Sequence, residues 1–68
     1  MEIKQYDIVN LLFDINTNIK KGMKAVVLEK YDSHSFEIEV LDKEGRNIEY
    51  QNQFIFTVTS AQIQKVSE

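Results

Sequence analysis

Apolar and polar positions alternate most regularly over residues 36–40. The apolar positions are Phe36, Ile38 and Val40, and the polar positions between them are Glu37 and Glu39. Because successive side chains of a β-strand point to opposite faces of a sheet, this pattern predicts a strand with its apolar residues in the core and its glutamates in solvent. Turn-forming residues precede it at 32–35 and follow it at 42–46, where Gly45 can adopt a positive φ.

Two more strands are predicted in the first half of the chain. Residues 7–13 and 23–31 are rich in β-branched and apolar side chains, as strands are. The turn formers at 14–22 predict a loop between them. Ile15 and Ile19 are expected to fold under this loop and extend the core.

The C-terminal half is predicted to hold the last two strands. Residues 47–59 combine aromatic and β-branched side chains, which favours a strand over a helix. The segment is long for one strand, so a bulge or a turn is expected at 51–53. One helical turn is expected at 60–63, before a short last strand at 64–66.

The pattern leaves the register of the second strand open. If Val27 faces inward, alternation places Glu29 in the core beside Ile38. If Val26 and Leu28 face inward, Val27 lies outside. Either register leaves an apolar side chain outside the core.

Five short strands joined by tight turns predict an all-β fold, a small barrel of about five antiparallel strands in a single domain over residues 1–68. A chain of 68 residues buries only a modest core. It has no cysteine and one histidine, so neither a disulfide nor a Cys/His zinc site can support that core. We therefore expect no metal and no cofactor, and a core that depends on packing, self-association or a partner.

The order of several short motifs resembles the small bacterial proteins of the domain of unknown function 4926 family. The motifs are Lys21-Gly22, Glu37-Ile38-Glu39-Val40, Asp42 to Arg46, and Ala61-Gln62-Ile63. The resemblance covers nearly the whole chain and implies an SH3-like β-barrel, but it implies no active-site residue. Ala25 stands where a second glycine is usual in that family, and the stretch from Tyr50 to Ile55 is longer than the family pattern.

His34 is the residue on which a catalytic site would depend. Asp32 and Glu37 are close to it in sequence and could orient an imidazole. His34 falls in a predicted turn, however, and no serine or cysteine nucleophile with a supporting motif accompanies it. We interpret it as an exposed turn residue and predict that the protein is not an enzyme.

Glu37 and Glu39 form the second candidate for chemistry. Two carboxylates on one face of a strand can bind a hard cation. They can equally form a solvated face that Lys24 or Lys30 neutralises across the hairpin. We favour the solvated face.

The chain has more large apolar residues than a barrel of this size can bury on one face. Some of them are expected to reach the surface, where a contiguous apolar patch marks a protein interface. The residues predicted to contact a partner are Val26, Leu28, Tyr50, Phe54 and Ile55. The alternative, in which all of them pack inside or under the loop at 16–21, stays open.

Charge and composition narrow the class of function. The formal net charge is −3, which disfavours nucleic acid as a partner. We predict a non-catalytic binding module for another protein or a second copy of itself, with an antitoxin- or immunity-like neutraliser as the hypothesis. The alternative is a nucleic-acid or ribosome-associated barrel that uses the basic residues of the chain. These residues are Lys20, Lys21, Lys24 and Arg46.

The compartment is predicted from what the sequence lacks. The N-terminal residues form no apolar leader segment, and no apolar run approaches the length of a membrane span. The absence of cysteine is compatible with a reducing compartment. We therefore expect a cytoplasmic protein that does not engage a membrane.

Overall fold

A computed structural model describes residues 2–66 and shows one antiparallel sheet of five strands. The strands are β1 (Ile8–Leu11), β2 (Lys24–Lys30), β3 (Ser35–Leu41), β4 (Ile55–Thr59) and β5 (Ile63–Lys65), and a single 3-10 turn spans Ser60–Gln62. The order across the sheet is β4-β3-β2-β1-β5. The predicted all-β fold with a short helical turn near the C-terminus is confirmed.

The sheet is curved, because its two edge strands are joined by a very short connection. In a flat sheet, four strand spacings would separate β4 from β5 by at least about 19 Å. The chain crosses from Thr59 to Ile63 in four residue steps, which span at most about 14 Å when fully extended. The two edges are therefore brought together at the 3-10 turn. The Thr59 amide donates to Gln62 Oε1 over 2.8 Å and fixes the start of this turn.

The concave face of the sheet carries the core. Cross-strand registers align its residues in rows, and each row contains side chains from neighbouring strands. One row is Val9, Ala25 and Val40, and the next is Val27, Ile38 and Phe56. All six are buried. The predicted inward positions of the third strand are thus confirmed, and its glutamates lie half-buried on the other face.

The loop between β1 and β2 closes over this core, as predicted. Ile19 is completely buried, and Ile15 packs against the cluster. Asn16 holds the loop in shape, because its Oδ1 accepts from the amides of Asn18 and Ile19 at 2.9 and 3.0 Å. Residues within a sequence segment of turn formers thereby contribute to the core.

A β-bulge settles the register that the sequence left open. Val27 pairs with Ile38, whereas Glu29 pairs with Glu37, so Leu28 is an extra residue on β2. A bulge of one residue reverses the alternation of the strand beyond it. Val27 is therefore buried while Glu29 remains exposed. Of the two registers left open, the one with Val27 inward holds up to the bulge, but Glu29 does not enter the core because the strand is interrupted at Leu28.

The predicted strand over 47–59 was also wrong in its extent. Asn47 forms an isolated bridge with Leu41, the chain then leaves the sheet, and β4 begins only at Ile55. Tyr50 and Gln53 pair across a two-residue turn in which Gln51 and Asn52 have φ of 52° and 66°. Two successive positive φ values are characteristic of a type I′ turn. The sequence predicted either a bulge or a turn at 51–53, and the structure shows the turn.

The other predicted elements differ from the structure only at their ends. The first strand is shorter than predicted, ending at Leu11, and the last begins one residue earlier, at Ile63. Gly45 has the expected positive φ, 83°. Within residues 2–66, no helix has the length and apolar character needed to cross a membrane.

Candidate protein-binding face

The convex face of the sheet carries a row of side chains that crosses four strands. Ile8 pairs with Val26, Val26 pairs with Glu39, and Glu39 pairs with Ile55. Cross-strand partners lie about 4.5–5.5 Å apart at their Cβ atoms, so the row is continuous. Ile8 and Ile55 are 40% and 42% exposed. We call this set of four residues the outer row.

The bulge adds a further apolar residue to the convex face. Leu28 follows the inward Val27 and precedes Glu29, whose partner Glu37 points outward. Leu28 is half-buried, and its carbonyl oxygen accepts from Gln5 Nε2 over 3.0 Å. Leu28 therefore lies next to Val26 on the same side of β2.

Three of the five predicted partner-binding residues come together on this face, and two do not. Val26, Leu28 and Ile55 share the convex side. Tyr50 packs against the core cluster from the excursion between β3 and β4. Phe54 is exposed but precedes Ile55, and alternation directs it away from the outer row. Tyr50 is thus partly buried against the core, at the start of the type I′ turn that it closes with Gln53.

The sequence reasoning missed Ile8 and Tyr6. Ile8 alternates with the buried Val9 and Leu11, so the pattern of the first strand already held the signal that one apolar side chain faces out. Tyr6 has no such signal. It is 69% exposed and has φ of 70° at the third position of a turn closed by the Asp7 amide and the Lys4 carbonyl.

Carboxylates lie within the outer row and on one side of it. Glu39 lies within the outer row, and Glu29 and Glu37 face each other on the neighbouring row toward the β2–β3 turn. Of the two lysines predicted to neutralise these glutamates, Lys24 lies on the same face, one row beyond Glu39, whereas the bulge turns Lys30 toward Phe36 on the other side of the sheet. The Lys30 Nζ lies 3.0 Å from Glu2 Oε2 instead.

Tyr31 continues this acidic end of the face. Its hydroxyl donates to Glu37 Oε2 over 2.7 Å, and its side chain is 58% exposed. The hydrogen bond to Glu37 raises the pKa of the Tyr31 hydroxyl, with smaller contributions from partial burial and from the charges of Glu37 and Glu29. The phenol thus stays protonated and is held in place beside two carboxylates.

The comparison with known families covers all five strands. The sequence matches the family described as domain of unknown function 4926 over residues 5–65. The chain belongs to this family. No curated protein matches the chain, and no solved structure matches it.

The two departures from the expected DUF4926 pattern now have positions in the fold. Ala25 is completely buried between Val9 and Val40, so its methyl group contributes to the core where a glycine would leave a gap. The stretch from Tyr50 to Ile55 holds the two-residue turn between β3 and β4 and ends at the first residue of β4. That residue, Ile55, belongs to the outer row.

Two of the basic residues of this DUF4926 chain form ion pairs with nearby carboxylates. Lys20 Nζ lies 3.9 Å from Asp14 Oδ2, and Arg46 forms an ion pair with Glu44 in its own turn. Lys24 lines a groove of about 370 Å³ at the start of β2. The groove is also lined by Gly22, Met23, Leu41, Asp42 and Lys43. Carboxylates are thus interleaved with the cations, which weakens the attraction of a phosphate backbone.

His34 lies exposed in the β2–β3 turn, as predicted. The Asp32 carboxylate does not orient the imidazole: its Oδ1 accepts from the backbone amides of His34 and Ser35 at 2.7 and 2.9 Å. The Asp32 side chain therefore shapes the turn. Among residues 2–66, no group of three or more histidine or acidic side chains is placed to hold a metal ion.

Proposed function

We propose that this chain is a non-catalytic module that binds another protein through its convex face, as an antitoxin- or immunity-like neutraliser does. The observation that carries the proposal is the outer row, in which apolar residues of three strands are exposed or half-buried on either side of Glu39. The concave face already supplies a closed core, so the fold itself does not require these side chains to be apolar. A contiguous exposed apolar surface is characteristic of an interface.

The charges on the face support a different protein over a second copy. A symmetric dimer whose two-fold axis passes near Glu39, inside the outer row, would bring this carboxylate close to the Glu39 of its mate. Like charges that are brought together at an interface oppose association. A partner with a cationic surface would instead gain from the same carboxylates. We propose the cytoplasm as the place of action, because the sequence has no cysteine.

The test is affinity capture with matched variants. The tagged chain and its Ile8→Gln, Ile55→Gln and Leu12→Gln variants are incubated with nuclease-treated lysate of the host and washed at low and high salt. Leu12 is the control, because it is 41% exposed and follows β1, about 13 Å along the chain from Ile8. Circular dichroism and urea unfolding establish that each variant is folded.

The proposal expects one protein that the unaltered chain and Leu12→Gln retain through high salt, and that Ile8→Gln and Ile55→Gln lose. Equal capture by all four chains would contradict it, since the outer row would then be irrelevant. Capture that disappears with nuclease or with moderate salt would favour the nucleic-acid alternative, because phosphate contacts weaken steeply with salt.

A further inference from the structure

The acidic end of the convex face has an arrangement that the free protein does not explain. Glu29 and Glu37 lie directly opposite each other on β2 and β3. Like charges in such a pair destabilise a sheet. Among the described residues, the four salt bridges involve neither of these carboxylates. The bulge at Leu28 creates this pairing, since it places Glu29 opposite Glu37.

An exposed aromatic ring accompanies the two carboxylates. The hydrogen bond from Tyr31 to Glu37 holds the phenol at its hydroxyl end, and the bond from the Tyr31 amide to the Ser35 carbonyl, 3.0 Å, holds its backbone. More than half of the side chain is nevertheless accessible. A ring that is fixed in place but open to solvent needs little further ordering when a ligand stacks on it.

These groups match the chemistry of an arginine side chain. A guanidinium group is planar, stacks on an aromatic ring and donates two parallel hydrogen bonds to one carboxylate. A lysine ammonium offers charge without this geometry. We infer that Tyr31, Glu37 and Glu29 form a subsite that receives an arginine of the bound protein, an inference that rests on the proposed function of the convex face.

The position of the subsite fits a partner that also covers the outer row. Glu37 and Glu39 lie two residues apart on β3, which is about 6.6 Å along a strand. An arginine at the edge of an apolar contact would thus reach Glu37 while its neighbours cover Val26 and Ile55. A second copy of the chain cannot readily supply this arginine, because Arg46 is the one arginine in the sequence and it is paired with Glu44.

The test uses fluorescently labelled oligo-arginine as the probe, with an oligo-lysine of the same length for comparison. Affinities are measured by anisotropy for the unaltered chain and for Glu37→Gln, Tyr31→Leu and Glu49→Gln. Glu49 is an exposed carboxylate outside the sheet, so its replacement controls for the loss of one negative charge. Amide chemical shifts in a ¹⁵N-labelled sample report where the probe binds.

We expect oligo-arginine to bind more tightly than oligo-lysine and to shift the amides of residues 29–37. Glu37→Gln and Tyr31→Leu should each weaken binding about threefold or more relative to Glu49→Gln. Absence of binding, equal affinity for the two probes, or equal weakening by all three variants would overturn the subsite. Such a result would leave the proposed function intact if the Ile8 and Ile55 variants still lost the captured protein.

Discussion

Val27 and Glu29 lie two residues apart on β2, yet they point to opposite faces of the sheet. An uninterrupted strand would direct both to the same side. Leu28 between them has no partner on β3, so the strand beyond the bulge is shifted by one position relative to its neighbour. The same irregularity keeps Glu29 out of the core and creates the acidic end of the convex face.

The assignment of faces predicts a large difference between two chemically identical substitutions. Ile38 is completely buried, whereas Ile55, on the neighbouring strand, is 42% exposed. Ile38→Val should lower the free energy of unfolding by about 0.5–1.5 kcal/mol. Ile55→Val should change it by less than about 0.5 kcal/mol, as surface substitutions do. Urea unfolding of both variants measures the difference, and equal effects would show that the two faces are wrongly assigned.

The sequence predicted those parts of the fold in which local pattern and tertiary packing agree. The third strand is an example, since its strict alternation needs no knowledge of its neighbours. The turn with Gly45 is another, because the residue type and the backbone conformation correspond. Both are local properties that a single segment encodes.

Features that depend on how the strands pair could not be predicted from the local sequence pattern. The bulge at Leu28 is defined by the position of β3, and no residue type marks it. Three of the four apolar residues on the candidate face were predictable, because Val26, Leu28 and Ile55 are apolar wherever they point. That Val26 and Ile55 lie on either side of Glu39 follows only from the strand register. That Tyr50 lies away from this face follows only from the type I′ turn.

The backbone at Tyr6 predicts a stabilising substitution. Tyr6 has a φ of 70°, and the left-handed conformation costs an L-residue roughly 1–2 kcal/mol. Glycine avoids this cost but loses more chain entropy on folding. We expect Tyr6→Gly to raise the free energy of unfolding by about 0.5–1 kcal/mol.

Tyr31→Gly is the matched control for this substitution. Tyr31 is also an exposed tyrosine next to a strand, but its φ is not positive. Glycine should therefore lower stability at this position, because it adds chain entropy to the unfolded state without relieving strain and also removes the hydrogen bond from the Tyr31 hydroxyl to Glu37. If both glycine variants moved the urea midpoint in the same direction, the strain at Tyr6 would not be real.

The turn at 51–52 predicts a second gain in stability. A type I′ turn favours Asn-Gly at its two central positions, whereas the chain has Gln51 and Asn52 with φ of 52° and 66°. The double substitution Gln51→Asn, Asn52→Gly should raise the melting temperature, with a gain of about 1 kcal/mol in the free energy of unfolding. The variant Asn52→Val should have the opposite effect, since a β-branched residue is strained at positive φ. Scanning calorimetry of the three chains measures both changes.

The turn after β3 makes the stability depend on pH. Asp42 Oδ1 accepts from the amides of Glu44 and Arg46 at 2.8 and 3.0 Å. The bond from the Arg46 amide is the largest cause that holds the pKa of Asp42 below its ordinary value of 3.8. A carboxyl whose pKa is lower in the folded state stabilises the protein above its unfolded pKa. This stabilisation is lost as the pH falls through the ordinary value toward the lower folded one.

Two substitutions at Asp42 distinguish the contribution of its charge to stability from that of its hydrogen bonds within the turn. Asn keeps the side-chain oxygen that accepts the amides but does not titrate, so Asp42→Asn should flatten this part of the pH dependence and keep most of the stability at neutral pH. Asp42→Ala removes the acceptor and should lower the urea midpoint at neutral pH as well. Urea midpoints measured from neutral pH down to about 3, below the ordinary Asp pKa, give the three profiles. If Asp42→Asn lost stability with acid as steeply as the unaltered chain does, another carboxyl would be responsible.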